Sequence, residues 1–131
     1  METSPLENNC RQACFTYEFA KHGGAVGAIT VYGDNIPKDA IILDGIIRVN
    51  TAVTATGSAT VAIMAQGAGD ILAALGKASF TLNAKLDVVP LCTAATCILL
   101  TAAIKSLTFT VAVDALLTGK ITVSLRWMLG G

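Results

Sequence analysis

The side chains able to do chemistry are few in this chain, and their spacing argues against each reaction they could support. Four cysteines fall in two pairs, Cys10 with Cys14 and Cys92 with Cys97. Four thiolates could hold zinc, but neither gap is the two-residue knuckle that makes such sites convincing. Neither gap suggests a redox motif. The plainest reading is reduced, partly buried thiols; a disulfide formed later outside the cell and a zinc site are the alternatives. His22 is the one histidine. No Ser or Cys stands near it in a nucleophile motif, so a solvated loop residue accounts for it. The glycine-rich run at residues 23–27 could cradle a phosphate only with a strand before it and a helix after it. A β-branched segment follows instead, which suits a tight turn and close packing. Asp34, Asp39 and Asp44 lack calcium-loop spacing and read as turn anchors. Arg126 and Trp127 could pair on a sugar, but strict alternation sends neighbouring side chains to opposite faces. The expectation is a protein with no catalytic residues, no cofactor and no metal site, and not an enzyme.

The elements that carry these residues read as strands. Residues 1–14 are polar and irregular, and Phe15, Tyr17 and Phe19 then alternate with Thr16 and Glu18, a two-residue period. Two readings stand for those aromatics: a first strand capping the domain's own core, or an arm docking on a neighbour. The division drawn from this is an N-terminal arm over residues 1–19 and one domain over residues 20–131. Residues 26–32 form a short strand and 33–39 a turn-rich loop with Pro37 fixing one backbone angle. Residues 40–54 are strand-like, with a bend or bulge at Asp44-Gly45. Beyond it Ile47, Val49 and Val53 share one face, and Arg48, Asn50 and Thr54 the other.

After a turn at residues 56–58, Ala59, Val61, Ile63 and Ala65 alternate with polar neighbours. Residues 70–76 are the one helical candidate, with Asp70 as cap and Gly76 as stop. Strands are expected near 78–82, 85–89 and 96–101. The C-terminal pair is the clearest signal. Leu107, Phe109, Val111 and Val113 oppose Ser106, Thr108 and Thr110; Ile121, Val123, Leu125, Trp127 and Leu129 oppose Thr122, Ser124, Arg126 and Met128. This predicts an antiparallel pair with a turn at residues 114–120. The fold class expected is all-β: an antiparallel β-sandwich or jelly roll with an extended N-terminal arm and at most one short helix.

Charged residues are 14% of the 131, against roughly 25% in ordinary domains. Hydrophobic residues reach 53%, and the mean hydropathy is clearly positive. Nine basic and nine acidic side chains cancel. The basic ones are spread singly, which argues against nucleic acid as a partner. No basic region followed by an apolar run opens the chain, so no secretory signal is visible and synthesis in a cytoplasm is expected. The uncharged stretch at residues 88–104 is shorter than the ~20 apolar residues of a spanning helix and holds Pro90; no membrane partner is expected. The polar strand faces are Thr, Ser and Ala rather than Lys and Glu. Such a surface suits burial against other chains, so the sequence reads as an assembly protein. The candidate partner-interface residues are Phe15, Tyr17, Phe19, Thr108, Thr110, Thr122 and Ser124.

Four stretches then resemble a known group. They are residues 19–29, which contain His22-Gly23-Gly24; residues 36–42, with Ile36-Pro37-Lys38-Asp39; residues 57–62, with Gly57-Ser58-Ala59; and residues 111–121, with Asp114-Ala115-Leu116-Leu117. Together they resemble small tailed-bacteriophage virion proteins of the head-decoration or cement type, with a jelly-roll-like fold. The similarity spans residues 15–129 and leaves Cys10 and Cys14 outside. The resemblance implies a structural protein of the virion, on the capsid surface, that attaches to an assembled head and bridges major capsid protein subunits, as a homotrimer. The alternatives are a head-fibre, neck or tail component, or a module that binds carbohydrate on a host surface.

Overall fold

The computed structural model describes residues 11–129. Nine strands follow the chain: β1 (Arg11–Glu18), β2 (Gly27–Ile36), β3 (Ala40–Ala55), β4 (Thr60–Met64), β5 (Leu72–Gly76), β6 (Lys85–Asp87), β7 (Ile98–Leu99), β8 (Ile104–Ala112) and β9 (Leu116–Leu129). One four-residue helix, α1 (Phe19–His22), and one 3-10 turn, Lys77–Ser79, complete the elements. The fold is all-β and jelly-roll-like, as expected.

The strands form two antiparallel sheets. In one, β1, β9, β3 and β6 lie in that order, with β7 also on β3; in the other, β5, β4, β8 and β2. The sheets join where β1 meets β2, at the single pair Phe15 and Gly33. Gly33 is needed there because any Cβ would collide with the Cys14 carbonyl and the Phe15 ring. The joined sheet curls over so that its two halves face each other. Tyr17 from one half stacks on Phe109 from the other, ring centroids 5.4 Å apart.

Period-two alternation supplies that core. Ala13, Phe15 and Tyr17 of β1, Ile47, Val49 and Val53 of β3, and Val61 and Ile63 of β4 all point inward. So do Leu107, Phe109 and Val111 of β8, and Ile121, Val123, Leu125 and Trp127 of β9. Each of the Val, Leu, Ile and Phe side chains among them contributes about 1.5–3 kcal/mol by leaving water. The expected bulge at Asp44-Gly45 is present as a register shift between Ile42 and Asp44 against β9.

Several expectations need correction. Residues 11–18 of the expected arm form β1, paired along its length with β9 (Arg11 opposite Trp127 through Glu18 opposite Lys120). The remainder of the arm, residues 1–10, lies outside the described residues. The clear C-terminal strands do not pair with each other: β8 lies between β2 and β4, and β9 between β1 and β3. The connection between them is a crossing from one sheet to the other, and the expected turn at 114–120 shrinks to residues 113–115, with β9 already under way at Leu116. Residues 70–76 are no helix. Leu72–Gly76 pairs with β4, and the Asp70 carboxylate instead accepts the backbone N–H groups of Ala65, Gln66 and Gly67 at 2.7–3.0 Å. Residues 33–36, read as loop, extend β2. Of the strand expected at 78–82, the chain shows the 3-10 turn and irregular backbone.

Candidate assembly faces

Each half of the sandwich has an outer face, and the two are chemically unlike. On the β2–β8–β4 half the register sets Ala28, Thr110 and Ala62 in one row and Thr30, Thr108 and Met64 in the next. Tyr32 beside Ser106 and Thr60 beside Ala112 extend it. No charged side chain stands in these rows. Thr30, Thr60, Thr108 and Thr110 make no side-chain hydrogen bond among the described residues, so their hydroxyls face outward unfilled. Tyr32 is 67% exposed at the edge of this face.

On the β1–β9–β3–β6 half the rows read Gln12–Arg126–Asp44, Cys14–Ser124–Ile46–Asp87 and Thr16–Thr122–Arg48–Lys85. This face is charged and internally bonded. Arg126 grips Asp44 through two hydrogen bonds of 2.9 and 2.8 Å and also reaches the Cys92 sulfur at 3.6 Å. Those hydrogen bonds, aided by the guanidinium charge, hold the Asp44 carboxyl below its ordinary range. Thr122 donates to the Asn50 side-chain oxygen at 2.7 Å and lies 3.5 Å from the Thr16 hydroxyl; Ser124 lies 3.4 Å from the Cys14 sulfur. A surface groove of about 540 Å³ runs over Arg11, Gln12, Gly45, Ile46, Ser124, Leu125 and Arg126.

The structure therefore scatters the candidate interface residues. Phe15 and Tyr17 are each 1% exposed and belong to the chain's own core; Phe19, in α1, is half-buried. Of the two open readings for β1, the strand that caps its own core is the one seen. Thr108 and Thr110 lie on the uncharged face. Thr122 and Ser124 lie on the opposite, charged one, with their hydroxyls already engaged. Rows matter more than single residues here: Ala28, Thr30, Tyr32, Ala62 and Met64 complete the uncharged face. Sequence patterning could not find them as a set without the order of the strands.

The residues tested for chemistry separate as well. His22 is half-buried rather than solvated: its Nδ1 accepts the Glu18 N–H at 3.1 Å, and its ring stacks on Tyr17 with centroids 5.7 Å apart. Tyr17 donates its hydroxyl to the Gly23 carbonyl, and burial pushes its ionisation upward. These contacts tie α1 and the glycine-rich run to β1. Trp127 points into the core and Arg126 away from it. Cys14, Cys92 and Cys97 are free thiols, the first two exposed; Cys10 lies outside the described residues. Among the described residues no three His, Cys, Asp or Glu side chains group as a metal site would require, and no helix is long and apolar enough to cross a membrane.

No protein-family model and no curated protein matches the chain. Solved structures do match, and their common class is a β fold found in phage capsids. A chain of the cyanophage Pam1 capsid asymmetric unit superposes with a TM-score of 0.66 at 18% identity, over 92% of this chain and 85% of that one. A chain of the acid-stable capsid of Helicobacter pylori bacteriophage KHP30 gives 0.61 at 14%, over 94% and 90%. A chain of the Ralstonia phage GP4 capsid gives 0.53 at 15%, over 100% and 92%. At these identities the likeness is one of fold.

Proposed function

We propose that this chain is a structural subunit of a phage head: a decoration, or cement, protein that lies on the assembled capsid, bridges neighbouring major capsid subunits and is not an enzyme. The fold shared with chains of three phage capsids supports the setting. One observation carries the role: the paired rows on the outer face of β2, β8 and β4 hold no charged side chain, and their threonine hydroxyls have no partner among the described residues. Laying such a face on another protein strips little bound water and leaves no charge unpaired. Its hydroxyls can then take acceptors from the shell. The opposite face keeps its charges in water and already satisfies much of its polar chemistry internally. Many copies, each with modest contacts, hold through multivalent attachment.

The test is to image purified particles and measure the stoichiometry of the chain by mass analysis. Many copies spread over the head surface are expected. A few copies at a single vertex would replace the cement role with a neck or tail role, and absence from particles would remove the reading altogether.

A further inference from the structure

We propose that copies of this chain bind one another head to tail, the Val113 corner of one seating in a pocket at the far end of β2 and β8 in the next. The inference deepens the proposal above and rests on it in taking the chain to be a subunit of an assembly; to that it adds a contact between copies.

The corner is unusual. Val113 has φ +74°, and the Asp114 N–H bonds the Ala112 carbonyl at 3.0 Å, closing a three-residue γ-turn. Positive φ is costly for a β-branched residue, and such strain is kept where something beyond the turn requires it. The chain's own core does not: Val113 is 68% exposed, although the alternation of β8 predicts an inward position. The turn throws it outward. Val26, 57% exposed, precedes Gly27, which pairs with Val111, so two valines protrude at this end. Asp114 adds a negative charge beside them.

The pocket lies at the other end of the same two strands. Asn35, Ile36, Pro37, Ala103, Ile104 and Lys105 line about 490 Å³ of mostly apolar space, where Ile36 pairs with Ile104. Its one charge is positive. Neither Lys105 nor Asp114 has an ion-pair partner among the described residues. An apolar knob with a carboxylate rim thus matches an apolar hollow with an ammonium rim. The nine residues of β8 hold the two sites about 25–30 Å apart, so they meet only between copies. A contact between two different patches repeats from copy to copy and closes into a ring when the rotation permits. A trimer is such a ring, and this contact leaves the uncharged face free for the shell.

Val113→Gly tests the knob, because glycine accepts the turn's backbone without strain. At dilutions where both proteins are monomeric, thermal unfolding should rise by about 3–5 °C, while the trimer measured at higher concentration by native mass spectrometry or light scattering dissociates at least about tenfold more readily. A rise in melting temperature with the trimer intact would overturn the proposal. Lys105→Asp and Asp114→Lys should each weaken the trimer, and the double reversal should restore it; no restoration in folded double variant would count against the contact. Asp114 lies over Gly57, so Ala103→Trp, which fills the exposed pocket, serves if the Asp114 variant does not fold; it too should lose the trimer. Wild-type trimers unaffected by Val113→Gly and Ala103→Trp would refute this contact and leave the assembly role standing. A wild-type monomer that is also missing from particles would end both.

Discussion

The two outer faces of this sandwich share one core, yet one carries an ion pair and cross-strand side-chain hydrogen bonds and the rows of the other have neither among the described residues. The Thr122 hydroxyl on β9 bonds Asn50, whereas the hydroxyls of Thr108 and Thr110 on β8 bond nothing among the described residues. The same residue type therefore does two jobs, and the row it stands in decides which. A threonine flanked by Asn50 and Thr16 closes a ladder. A threonine flanked by Ala28, Ala62 or Met64 leaves its hydroxyl for another molecule. The low charge of the chain as a whole is therefore not a uniform property of its surface: the paired rows of the β2–β8–β4 face hold no charged side chain, and the β1–β9–β3–β6 face carries ion-paired and exposed charges.

The largest perturbation should strike the core that both faces share. Phe109→Ala removes the ring stacked on Tyr17 between the halves and should cost about 3–5 kcal/mol in urea unfolding. Next comes the seam. Gly33→Ala forces a methyl into the Cys14 carbonyl and the Phe15 ring and should cost about 1–3 kcal/mol by the same measurement. The faces themselves should then part company. Thr110→Lys, on the uncharged face, should change stability by less than about 1 kcal/mol. It should nonetheless weaken attachment to heads, in a co-sedimentation assay, by at least about tenfold, since it buries a charge without a partner. Equal attachment would erase the distinction between the faces.

The smallest effect is expected from Arg126→Ala on the charged face. The pair it breaks is partly exposed and screened, so the loss should be about 0.5 kcal/mol or less, with attachment unchanged. Its pH dependence has a definite sign. The Asp44 carboxyl is held below its unfolded value, so the pair's stabilisation is present above the unfolded carboxylate range, near ~4, and fades as pH falls through the lower folded value. Wild type and variant should converge in urea midpoints in strong acid.

Much of this fold is legible in the residues. Alternation at Ile47–Val49–Val53, Val61–Ile63 and Leu107–Phe109–Val111 names the buried side of each strand, because period two is a local property. It does not name the neighbour. Ser106–Thr110 and Thr122–Ser124 look like two edges of one hairpin in sequence, but the strained turn at Val113 sends the chain to the opposite sheet. Residues 72–76 are Leu, Ala and Gly, whose helical preference yields to pairing with β4. Gly33, Asp34 and Asn35 carry turn chemistry. Here the glycine permits close contact with β1, and the Asp34 carboxylate caps the Cys14 N–H at 2.9 Å, closing the seam. The uncharged face escapes a residue-by-residue reading for the same reason: it exists only once β2, β8 and β4 lie side by side.

Hydroxyl-radical footprinting of the chain, free and on purified particles, tests whether that bare face is the one that meets the shell. Tyr32 and Met64 report on it, and Met128 on the charged face. Protection of Tyr32 and Met64 on the particle, with Met128 labelled as in the free protein, is the predicted result. Unchanged labelling of Tyr32 and Met64, or protection confined to Met128, would contradict it.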